Sequence, residues 1–111
     1  MADITVRNKK YKLKNDVEYY YVMQFRKASK EYDTYDNPDI ILLKTLMEAI
    51  CPDLLASINF DELSIGDERL TFKEVKKLLI DLRTNLENII NAELDSLTEY
   101  IEGGAKEAKN S

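Results

Sequence analysis

The chain has no histidine and no tryptophan, one cysteine, two prolines and three glycines in 111 residues. The lack of histidine removes the usual general base near neutral pH and the commonest metal ligand, which excludes most hydrolytic constellations. A lone cysteine, Cys51, cannot close an intrachain disulfide, and this suits a reducing intracellular setting. Set among Ile50, Pro52 and Leu54, Cys51 reads as a small buried apolar residue rather than a nucleophile. No apolar run approaches the ~20 residues of a membrane span and the first residues are polar, so a soluble cytoplasmic protein without a secretion signal is expected. With so few glycines and prolines, long uninterrupted helices are open to it.

What is present fits one small helical domain. The apolar share of 44% is near the globular average and the charged share of 33% is above it. A chain of this length buries about two-thirds of the surface it exposes when unfolded, so neither disulfides nor metals are needed. The net charge of −5 is unevenly spread: residues 1–30 sum to +5 and residues 31–111 to −10.

Taken in order, Ile4-Thr5-Val6-Arg7 and Tyr11-Lys12-Leu13-Lys14 alternate apolar with polar around Asn8-Lys9-Lys10, which predicts a β-hairpin over about 3–14. Two strands alone are marginal in water, so the face carrying Ile4, Val6, Tyr11 and Leu13 is expected to lie on a helix. The lysines at 9, 10, 12 and 14 suit charges guarding a short hairpin edge. A first helix is expected over about 16–33, capped by Asn15 or Asp16 and turning Val17, Tyr20, Tyr21, Met23, Phe25, Ala28 and Tyr32 inward. Asn37-Pro38 should open a second helix whose apolar residues, from Ile40 to Cys51, cover so much of its circumference that it belongs in the core. Pro52 should end or kink it, with one more short turn holding Leu54, Leu55 and Ile58. Gly66-Asp67-Glu68, flanked by Leu63-Ser64-Ile65 and Arg69-Leu70-Thr71, predicts a second small hairpin or a loop.

The last element organises the rest. Thr71-Phe72-Lys73-Glu74 has the spacing of a capping box. Val75, Leu78, Leu79, Leu82, Leu86, Ile89, Ile90, Leu94, Leu97 and Ile101 then recur at helical spacing until Gly103-Gly104, a usual stop. Such a helix would span roughly 46 Å at ~1.5 Å per residue, against a radius of gyration of ~13 Å for a compact chain of this size. Part of its stripe should overhang the core. The fold class expected is therefore mainly α: one domain over 1–102, an N-terminal β-hairpin followed by three main helices, the last one long, and a mobile tail over 103–111.

No chemistry is spelled out. Asp33, Asp36 and Asp39 lack the alternate spacing, glycine and distal glutamate of a calcium loop, and read as loop and helix-start charges. Asp61-Glu62 and Asp67-Glu68 could hold a metal or form an acid–base pair only with geometry that a sequence does not supply. No cofactor, metal or catalytic residue is assigned and no enzyme is expected. Three consecutive tyrosines cannot all face one core, since each helical step turns about 100°. With Tyr20 and Tyr21 packed inward, Tyr19 beside Arg26 and Lys27 suits a protein-binding face, where aromatic and arginine residues are enriched. Ile89, Ile90, Leu94, Leu97 and Ile101 are candidates for burial between molecules.

A hairpin reading ITVRNKKYKLK, an aromatic first helix, an acidic remainder, a long final helix and a GGAKEAKNS end together resemble the tail assembly chaperones of siphophages in outline, without a fixed motif. The resemblance implies a protein that coats the helical, apolar tape measure protein, keeps it soluble, helps recruit tail tube subunits and is absent from the finished tail. It also implies a homo-oligomer in the host cytoplasm and a longer product made by ribosomal frameshifting. Ala108-Lys109-Asn110 can be encoded as GCA-AAA-AAC, which contains the slippery run A-AAA-AAC. The alternative from another class is a small dimeric regulator that binds nucleic acid through the basic N-terminal region; the acidic remainder disfavours it.

Overall fold

The computed structural model describes residues 3–31 and 37–110, with side chains described as far as Leu97. The expectations placed on Tyr32, Asp33 and Asp36 lie outside the described residues, as does the side chain of Ile101. The fold is mainly helical, with an N-terminal antiparallel hairpin and a long last helix.

Strands β1 (Asp3–Val6) and β2 (Lys9–Lys12) pair with Ile4 opposite Tyr11 and Val6 opposite Lys9. Ile4, Val6, Tyr11 and Leu13 form the buried face, as their alternation predicts. The turn is Arg7-Asn8, not Asn8-Lys9-Lys10. Both residues have positive φ, 51° and 68°, as a two-residue turn that follows the twist of its strands requires. Arg7 tolerates this because its side chain is anchored elsewhere.

Helix α1 (Tyr19–Lys30) starts later and ends earlier than its apolar spacing suggests. Asp16 does not cap it. Its Oδ1 accepts the adjacent Val17 amide at 2.7 Å, a local bond that holds the chain outside helical geometry, and Glu18 occupies the cap position. The buried line is Val22, Phe25 and Ala28, so the helix is rotated from the expected setting: Tyr21 packs against the core while Tyr20 and Met23 face outward.

Helix α2 (Pro38–Ile50) has proline in its first turn and buries Leu43, Leu46, Met47, Ala49 and Ile50. It packs against both α1 and the last helix and is the centre of the core. Its opening turn is less covered than the sequence suggests, since Ile41 is exposed. Cys51 leaves helical geometry (φ −140°, ψ 65°), as a residue before proline is pressed to do, and Pro52 opens a short α3 (Pro52–Ser57). Ile58 is not part of that turn. It begins β3 (Ile58–Asn59), which pairs with β4 (Ser64–Ile65), and β4 with β5 (Glu68–Arg69) across Gly66 at φ 62°.

Helix α4 (Phe72–Asn110) begins at the capping box as read: Thr71 Oγ1 accepts the Glu74 amide at 3.1 Å and Glu74 Oε1 accepts the Thr71 amide at 3.0 Å. Val75, Leu78, Leu82 and Leu86 are buried against the core. The expected stop at Gly103-Gly104 is absent from the backbone, which stays helical to Asn110. Glycine costs a helix only ~1 kcal/mol relative to alanine, and Ala105, Lys106, Glu107, Ala108 and Lys109 are good helix formers. The mobility expected of 103–111 lies outside what the described side chains address. The overhang is reflected in a radius of gyration of 17.3 Å and a longest extent of 65 Å, beyond the ~13 Å of a compact chain.

Candidate protein-binding surface

Cys51 is fully buried and its thiol donates to the Lys12 carbonyl at 3.5 Å; burial pushes its pKa up, away from reactivity. Asp39 pairs with Lys76, Glu62 with Arg69 at 3.9 Å, and Glu68 with Arg7 at 3.4 Å. Among the described residues no group of three or more potential ligands is placed to hold a metal ion, and no helix is long and apolar enough to cross a membrane.

Among the described residues, most of the exposed large apolar side chains lie on surfaces of two helices. The first is the outer face of α1, where Tyr19, Tyr20, Met23, Arg26, Lys27 and Lys30 are all exposed. At 100° per residue these six fall within roughly a third of the helix circumference. The structure thus brings Tyr19, Arg26 and Lys27 together as read, and adds Tyr20 and Met23, which the sequence alone placed inside. Tyr20 is 60% exposed, its ring edge-on to Tyr21 at 5.2 Å between centroids. The missed signal was Val22: counting it as the centre of the inner face, with Phe25 and Ala28, turns Tyr20 and Met23 out.

The second is on α4, and it divides. Ile89 and Ile90 are partly buried against the molecule's own core. Leu94 and Leu97 are 52% and 54% exposed and form the uncovered part of the stripe. At the other end of α4, Phe72 and Ile80 are exposed beside Lys73, Lys76 and Lys77. A neighbouring groove of about 200 Å³ opens between Phe25, Leu42, Leu79, Ile80 and Arg83, with the Arg83 guanidinium 5.8 Å from the Phe25 ring centre. Neither Phe72 nor Ile80 had been singled out as a surface residue, because both break the three-and-four spacing that defines the inner face.

Asp16, three residues before α1, lies close enough to Glu93 of α4 for the two carboxyls to perturb each other, lowering the pKa of Asp16 and raising that of Glu93. The start of α1 therefore lies beside the point where α4 leaves the core. No family model, curated protein or solved structure matches the chain.

Proposed function

We propose that the protein is an assembly chaperone that holds apolar helical segments of a larger protein, in the manner of the siphophage tail assembly chaperones it resembles, with the tape measure protein as client and the tube subunits as recruits. The observation that carries this is the run of α4 past its own core, with Leu94 and Leu97 uncovered on a regular helix. An amphipathic client helix laid along that rod would be read through its apolar stripe, the helix-in-groove mode of recognition. Tyr19, Tyr20, Met23 and Arg26, exposed on the outer face of α1, are the residue types that anchor protein interfaces. No step of this role calls for a cofactor.

Coexpression with the protein encoded by a very long helical gene immediately downstream tests the reading. The wild-type chain should raise the soluble fraction of that protein, and Leu94→Glu with Leu97→Glu should abolish the effect while leaving the fold intact. Unchanged solubility in the double variant would sink the proposal. The gene should also carry a slippery heptamer within the codons for Ala105 to Asn110, with an overlapping downstream frame. The basic, aromatic α1 face supports the nucleic-acid alternative, whose signature would be affinity that falls steeply with salt.

A further inference from the structure

Helix α4 reverses its charge along its length. Residues 72–83 carry Lys73, Lys76, Lys77 and Arg83 against Glu74 and Asp81, whereas residues 84–105 carry five acidic residues and no lysine or arginine. Eighteen residues make five full helical turns, so Phe72 lies in line with Ile90, Leu79 with Leu97, and Lys77 with Asp95. One side of the rod thus continues from end to end as an apolar line with a charged flank, and only the sign of the flank changes.

Much of that side is left over by the fold. Phe72 and Ile80 are exposed in the first half, and Leu94 and Leu97 in the second. Of the charges, Glu74 is engaged by Arg7, Lys76 by Asp39 and Glu87 by Arg83. Lys73, Lys77 and Asp95 enter no ion pair among the described residues.

We infer that two copies of the chain pair through α4 in antiparallel orientation, the acidic overhang of each lying along the basic, apolar first half of the other. In this register Lys77 of one copy meets Asp95 of the second, Leu94 of the second lies against Leu79 and Ile80 of the first, Leu97 of the second lies nearer Lys76 and Phe72 of the first, and the Arg83–Glu87 pairs of both copies sit near the two-fold axis. A parallel pairing would set basic half beside basic half and acidic beside acidic. The antiparallel arrangement is self-complementary and closes on itself, as a two-fold dimer must. Exposed ion pairs add little strength individually; here they choose the orientation, while the apolar line supplies the adhesion. The inference deepens the reading of the α4 stripe as a surface covered between molecules, but its readout needs no client.

Sedimentation velocity of the full chain over a concentration series should show a monomer–dimer equilibrium, and Lys73→Glu with Lys77→Glu should shift it to monomer. Mixing that variant with Asp95→Lys should restore a dimer of one copy of each. Independently, Lys77→Cys mixed with Asp95→Cys should give an intermolecular disulfide on mild oxidation in several-fold higher yield than either variant alone, with Cys51 retained because it is buried. A monomer at every concentration overturns the inference, as does either cysteine variant cross-linking chiefly to itself. A dimer without any effect on client solubility would defeat the chaperone reading alone, and client solubilisation by a strict monomer would defeat this one alone.

Discussion

Arg7 grips Glu74 with two parallel bonds, Nε to Oε2 and Nη2 to Oε1, each 3.0 Å, across 67 residues of sequence. The same guanidinium donates to the Arg69 carbonyl at 2.7 Å and the Glu68 carbonyl at 3.2 Å. Glu74 meanwhile accepts the Thr71 amide. One side chain in the hairpin turn thereby joins β1–β2 to β5 and to the first turn of α4. The fork geometry is specific to arginine, and the left-handed backbone at Arg7 aims it.

The pairing sets an acid limit on stability. The bond from Arg7 first, and then the Thr71 amide, bring the Glu74 pKa down to about 2. A depressed carboxylate contributes stability that is present above its unfolded pKa of ~4.3 and lost as pH falls toward its folded value. The melting midpoint of the wild type should therefore decline from about pH 5 toward pH 2. Glu74→Gln should melt lower than wild type at pH 7, and the two curves should converge near pH 2, as followed by circular dichroism.

Thr71→Ala removes the hydroxyl that accepts the Glu74 amide. A lost cap of this kind costs about 1 kcal/mol, or a fall of roughly 4–8 °C in midpoint for a domain near this size. Because Thr71, Glu74 and Arg7 share one network, Thr71→Ala with Arg7→Lys should cost less or more than the sum of the two, which a double-mutant cycle measures directly.

Leu82 and Leu86 are completely buried and Leu94 is half-exposed on the same helix. Leu82→Ala and Leu86→Ala should each cost about 2–5 kcal/mol in urea unfolding. Leu94→Ala should change the stability of dilute protein by no more than about 0.5 kcal/mol. A larger loss for Leu94→Ala that grows with protein concentration would report association through that residue.

Cys51 should resist thiol reagents until the chain unfolds, because its sulfur is enclosed and burial holds its proton. Labelling with a chromogenic disulfide should be negligible in buffer and stoichiometric in denaturant. Rapid labelling of native protein would mean that the α2–α3 junction opens locally.

Some of this was legible in the chain itself. The hairpin face of Ile4, Val6, Tyr11 and Leu13, the capping box at Thr71 and Glu74, the proline start of α2 and the break in helix at Cys51 before Pro52 all depend on neighbours within a few residues. Alternation, capping and proline sterics act at that range, so composition and order suffice. The setting of α1 did not follow, since Tyr20, Tyr21 and Val22 are comparable in apolar character and only the arrival of α2 selects Val22 and Phe25 as the inner line. The Arg7-Asn8 turn depended on a partner 67 residues away, with Glu74 rewarding a left-handed arginine that local preference disfavours. Along α4, Leu86 and Leu94 look alike in the sequence; the core encloses the first and ends before the second, because burial is decided by which other elements are long enough to arrive.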